Sequence, residues 1–189
     1  MRLWTIQPPE AVDIIEKTGR FSCEKEKSEN YKDFRDAYLW LVEQMDMRKI
    51  YHPEGLILPL WAWHTRDWKH KKPDFRTTGL DTPGKRCSCI EFEIDDSQVL
   101  LSDYYAWHSV LNNGYLNNSQ TEEEWDKENA RFDTLSGTEK EKLILESWQN
   151  IFDVEPYEND FFSKGKYIQA VFWALKKDMI RDIRYFIAR

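Results

Sequence analysis

A chain of 189 residues with 41% hydrophobic and 32% charged side chains fits one domain, and it needs neither disulfides nor a metal to bury a core. Its formal net charge of -7 argues against a broad nucleic-acid interface, which requires a basic face to neutralise phosphates. No run approaches the roughly 18 apolar residues of a membrane helix, and Met1-Arg2-Leu3-Trp4 leads to Pro8-Pro9 rather than into an apolar leader, so no membrane contact and a cytoplasmic location are expected.

Aromatic residues make up 15% of the chain and nine are tryptophan, so the sequence implies either a bulky core or an aromatic-lined pocket. The cysteines Cys23, Cys87 and Cys89 are odd in number and read as reduced thiols. Cys87 and Cys89 are closer together than the usual zinc-binding pair, and no matching Cys/His pair follows, so no metal is expected.

Leu3-Trp4-Thr5-Ile6 reads as a strand ended by Pro8-Pro9, and a helix follows from Pro9 to a Gly19 stop. A polar loop spans Cys23 to Asn30. Between about Tyr31 and Arg48, Phe34, Ala37, Tyr38, Leu41, Val42 and Met45 recur at helical spacing. Leu56 to Trp63 is strand-like, with Pro59 suggesting an edge strand or a bulge. A long loop, His64 to Lys85, follows, and loops of that length are often functional. Cys87 to Ile94 alternates as a strand, Val99-Leu100-Leu101 reads as another, and Asp103 to Leu111 as a helix capped by Ser102 or Asp103. Asn117 to Arg131 is an acidic excursion, mobile or helical, and Thr138 to Phe152 is a helix. Ile168 to Leu175 and Ile180 to Ala188 close the chain as strands. The order implies an α+β fold, a single domain over 1–189, with helices packed on a mixed or antiparallel sheet.

Trp61-Ala62-Trp63-His64-Thr65-Arg66-Asp67-Trp68-Lys69-His70 gathers three indoles, two imidazoles and a guanidinium where a strand runs into a long loop, a common setting for a ligand pocket. The basic stretch Arg66 to Lys72 is suited to an anion. Asp103 and Trp107 are four apart on one helix face, whereas His108 neighbours Asp103 less well, so a relay between them, or hydrolysis with a metal, is the weaker alternative. Glu91 and Glu93 share a strand face with Cβ atoms about 7 Å apart; they are an acid/base pair if buried and ordinary polar positions if not. The chain lacks a glycine-rich phosphate loop, G-x-S-x-G and H-E-x-x-H, which weighs against kinase and nucleophilic-hydrolase chemistry.

With Leu3-Trp4-Thr5-Ile6-Gln7, Pro59-Leu60-Trp61-Ala62-Trp63, Lys72-Pro73-Asp74-Phe75-Arg76, Glu91-Phe92-Glu93-Ile94, Leu100-Leu101-Ser102-Asp103, Trp107-His108, Ser147-Trp148 and Gln169-Ala170-Val171-Phe172-Trp173, the chain resembles an uncharacterised bacterial family, domain of unknown function 3841. The layout is also similar to that of ADP-ribosyltransferase-like domains. That similarity implies a nucleotide or NAD pocket with Thr5 or Gln7 on the first strand, Trp61 or Trp63 on the second, Gln169 where such domains carry glutamate, and a closing strand pair formed by Ile168 to Trp173 and by Met179, Ile180 and Ile183. Glutamine cannot steady a cationic transition state as a carboxylate does, so the similarity implies binding without transfer, or another acid.

The candidate catalytic residues are therefore Gln169, Glu93 and His108. The candidate cofactor-contacting residues are Thr5, Gln7, Trp61, Trp63, His64, Arg66, Asp103 and Trp107. A small molecule or nucleotide is the expected partner. The alternative is a non-catalytic binding or interaction module with an aromatic-lined site.

Overall fold

The computed structural model describes residues 1–28 and 31–189. β1 (Arg2–Gln7) leads through Pro8 into α1 (Pro9–Thr18), followed by β2 (Arg20–Ser22), a 3-10 turn (Lys25–Lys27) and α2 (Arg35–Met47). Next come β3 (Leu60–Arg66), β4 (Arg86–Glu93), a 3-10 turn (Asp96–Gln98), β5 (Leu100–Asp103) and α3 (Tyr104–Leu111). α4 (Glu122–Thr134), α5 (Gly137–Ser147) and a 3-10 segment (Trp148–Phe152) precede the two-residue strands β6 (Tyr157–Glu158) and β7 (Ser163–Lys164). β8 (Tyr167–Phe172), β9 (Ala174–Lys176), a 3-10 turn (Lys177–Met179) and β10 (Ile180–Ile187) complete the chain.

Local chemistry accounts for several boundaries. Pro9 supplies the fixed φ of a first helical position, and Gly19 ends α1 at φ 81°, its N–H donating to the Ile15 carbonyl at 2.8 Å. α4 has no buried residue; Thr121 caps it, and Glu122, Glu123 and Glu124 oppose the positive end of its dipole. The acidic excursion is thus mostly helical. α2 begins at Arg35, later than the periodicity suggests, and the end of the expected polar loop at Glu29 and Asn30 lies outside the described residues.

Six strands form an antiparallel sheet in the order β10-β4-β1-β3-β8-β5, while β2 pairs with β9 in a separate ribbon. This is the α+β architecture anticipated from the order of elements. Two strand expectations change. β3 starts after Pro59 and lies between β1 and β8, so it is an interior strand, and its irregularity falls between Trp63 and Thr65 rather than at the proline. β8 and β10 are not neighbours. β8 is held between β3 and β5, while β10 pairs with β4 at the opposite edge.

The alternation of each strand divides the interior into two cores. Leu3, Leu60, Ala62, Ile90, Phe92, Ala170 and Phe172 meet Val12 and Ile15 of α1 on one face. Burying an aliphatic side chain of that size contributes about 1.5–3 kcal/mol, and this fixes α1 on the sheet. Leu100 and Val171 meet Ala37, Leu41 and Met45 of α2, Trp107 and Val110 of α3, and Trp148 and Ile151 on the other face. No helix among the described residues is long and apolar enough to cross a membrane.

Candidate functional site

The second face of the sheet is covered in two parts. α2, α3 and the 3-10 segment cover the β3-β8-β5 side. The loop after β3 reaches over the β1-β4-β10 side, where His70 meets Trp4 with ring centroids 5.2 Å apart, Phe75 stacks on Phe186 at 4.5 Å, and Lys72 bonds Asp182 at 3.0 Å. The basic stretch expected to meet an anion is held here.

A bulge decides which way Arg66 points. Trp63 pairs with Gln169, but Thr65 pairs with Ile168 and Arg66 with Tyr167, so His64 is the extra residue. Under strict alternation Trp63 and Arg66, three apart, would face opposite ways. The bulge returns Arg66 to the face of Trp63, and its guanidinium carbon lies 4.4 Å from the Trp63 ring and 5.9 Å from that of Tyr167. β3 then reverses through Asp67 and Trp68 at φ 51° and 64°, while Arg66 and Lys69 exchange two backbone hydrogen bonds of 3.1 Å. Two left-handed central residues mark the tight hairpin turn that normally uses Asn-Gly, so a tryptophan here is strained by about 1–2 kcal/mol. The Trp68 N–H donates to the Lys166 carbonyl at 3.1 Å and helps hold that turn. Strain of this kind is commonly retained where geometry serves function.

The turn and the following loop enclose a cavity of about 440 Å³ lined by Arg66, Lys69, Lys71, Lys72, Thr77, Thr78 and Tyr167. Its two carboxylates are already engaged. Arg76 clamps Asp74 and holds it well below the usual carboxylate range, and Asp67 lies 3.9 Å from Lys166. Lys72 is shared between Asp182 and Glu91. Among the described residues, Arg66, Lys69 and Lys71 form no ion pair within 4.0 Å, although the Lys71 charge helps to lower the Asp74 pKa. The Arg66 Nη1 is buried without a hydrogen-bond partner, and burial lowers the guanidinium pKa against the opposing influence of Tyr167, Tyr104 and Tyr105.

The remaining candidates disperse. Thr5 and Gln7 lie on the opposite sheet face from Trp63, because Trp63 pairs with their neighbour Trp4. Thr5 is fully buried and donates to the Trp61 carbonyl at 2.7 Å, and Gln7 donates to Thr5 at 2.8 Å. Trp107 is buried in the second core, and the half-buried Trp61 packs against it with ring centroids 5.3 Å apart. Gln169 stands between Trp63 and Ser102 on the Arg66 face. The His64 ring is half-buried beside His70, and burial first, then that neighbour, pulls its pKa down to about 4.

Asp103 and His108 do not pair. The Asp103 Oδ1 caps α3, its Oδ2 accepts the Gly165 N–H at 2.7 Å, and His108 Nδ1 lies 2.8 Å from the Tyr104 carbonyl in its own helix. Glu91 and Glu93 do not form an acid/base pair either. Glu91 accepts the Trp4 indole N–H at 3.0 Å, while the more exposed Glu93 is bonded to Arg2 and Arg181, which lower its pKa. Among the described residues no three His, Cys, Asp or Glu side chains converge as a metal site would require.

Sequence reasoning reached Arg66 and the lysines but missed Tyr167, Thr77 and Thr78. Tyr167 arrives by strand register across a hundred residues, for which the local sequence carries no signal. A family model described as Domain of unknown function (DUF3841) matches residues 2–181. No curated protein and no solved structure matches the chain.

Proposed function

We propose, for a chain that belongs to the DUF3841 family, that the Arg66 cavity binds a small phosphate-bearing ligand of the nucleotide class. The observation that carries the reading is a half-buried guanidinium, close to the rings of Trp63 and Tyr167, with a buried N–H and no carboxylate partner among the described residues. A cation so placed gives up hydration without compensation, and an anion restores it through charge-assisted hydrogen bonds. A guanidinium fork with two unpaired lysines and nearby hydroxyls suits a multiply charged, many-oxygen group better than a single carboxylate. The exposed ring of Tyr105, 5.3 Å from that of Tyr167, offers a base a surface to stack on. NAD, which the transferase-like layout implies, belongs to this ligand class, and the reading concerns binding alone.

Isothermal titration with ADP, NAD and adenosine tests it. ADP is expected to bind saturably with an affinity that weakens as salt is raised, and adenosine, lacking phosphate, to bind at least about tenfold more weakly. Arg66→Ala is expected to abolish ADP binding while the protein still unfolds cooperatively. Equal ADP affinity in Arg66→Ala, or equal affinity for adenosine and ADP, refutes the reading.

A further inference from the structure

A second hollow, of about 290 Å³, has a different character. Its walls are Trp173, Leu56, Ile94 and Met179, and Arg20 and Lys176 stand with them. The Trp173 wall is braced by a stacked ring. His52 stacks on it with centroids 3.8 Å apart, and both imidazole nitrogens are engaged, by the Leu56 carbonyl at 2.8 Å and by Asp46 at 3.1 Å.

Arg20 and Lys176 are direct cross-strand partners in the β2–β9 ribbon, and among the described residues neither forms an ion pair. Like charges directly opposite each other destabilise a ribbon. Here the pair is left uncompensated beside an apolar cavity, at the small end of the size range of ligand sites.

We propose that this hollow is a ligand site separate from the Arg66 cavity, for a small amphipathic monocarboxylate. The apolar body lies against Trp173, Leu56 and Met179, and the carboxylate bridges Arg20 and Lys176. One negative charge relieves the like-charge pair, and the apolar walls, which offer few partners to a multiply charged group, select for an apolar tail.

Two matched pairs of probes test this by titration calorimetry on the full chain: octanoate against octanol, and indole-3-acetate against tryptamine. At least one acid is expected to bind saturably, with its uncharged or cationic counterpart at least about tenfold weaker. Arg20→Gln/Lys176→Gln is expected to weaken that acid by a similar factor without loss of folding, because it removes a repulsive surface pair. Met179→Trp, which fills the hollow and leaves both cations in place, is expected to weaken it too, and Arg66→Ala to leave it unchanged. The proposal is overturned if octanol matches octanoate and tryptamine matches indole-3-acetate, if the double variant keeps wild-type affinity, or if the folded protein saturates with neither acid up to about 10 mM.

Discussion

Asp103→Ala removes one carboxylate that serves two elements. Its Oδ1 accepts the N–H groups of Tyr105 and Ala106 at 2.9 and 3.0 Å, and its Oδ2 accepts that of Gly165 at 2.7 Å, in a residue only 4% exposed. Loss of a helix N-cap costs about 1 kcal/mol. An orphaned buried N–H at Gly165 adds roughly 1–3 kcal/mol. The sum, about 2–4 kcal/mol, lies below the usual total stability of a domain, so the variant still folds. For a chain of this length it lowers Tm by roughly 2–4 °C per kcal/mol. Urea unfolding followed by far-UV circular dichroism measures it, with an unchanged m-value showing that the native state is intact. Asp103→Asn separates the two roles. The amide oxygen keeps the cap, but its NH2 then meets the Gly165 N–H, donor against donor, and only the second cost is incurred. An alanine variant within about 1 kcal/mol of wild type, or an asparagine variant as stable as wild type, refutes the assignment of Asp103 as the clasp between α3 and Gly165.

The same urea assay checks substitutions at three further sites. Gly165→Ala is expected to cost at least about 2 kcal/mol, because the site has φ +77° and a Cβ would meet the Val154 carbonyl at 2.8 Å. Trp68→Gly is expected to be about 1 kcal/mol more stable than Trp68→Ala, since both lose the indole and only glycine accepts φ 64° without strain. His64 binds a proton near 6.5 when unfolded but only near about 4 when folded. Its contribution is therefore complete above pH 6.5 and declines as pH falls to 4, because the unfolded state is protonated first; His64→Asn should flatten stability across that window. Burial pushes the Cys87 thiol to about 11 and Cys89 to about 12, so near neutral pH a thiol reagent should label neither until denaturant is added; rapid labelling of both in the native protein would contradict their burial.

Where structure follows from local chemistry, the residues themselves specified it. Pro9 and Gly19 bracket α1, Asp103 opens α3, and the alternation from Cys87 to Glu93 makes β4, because capping, proline geometry and side-chain periodicity act within a few residues. The α+β class followed from the order of those elements. The strand neighbours did not. Pro59 suggested an edge strand or a bulge, and the strand is interior with its bulge at His64; Ile168 and Ile180 suggested a pair that the sheet separates, since pairing depends on which apolar faces bury together over the whole chain.

The site divides in the same way. Arg66 and its lysines were visible as a basic stretch. Register placed Thr5 and Gln7 on the far face and brought Tyr167 beside the guanidinium, while the packing of α3 on the sheet set Trp107 in the core against Trp61. A single bulged residue, His64, turns Arg66 onto the face of Trp63. Alternation along a strand is a property of sequence, but the point where it breaks is set by the strands on either side.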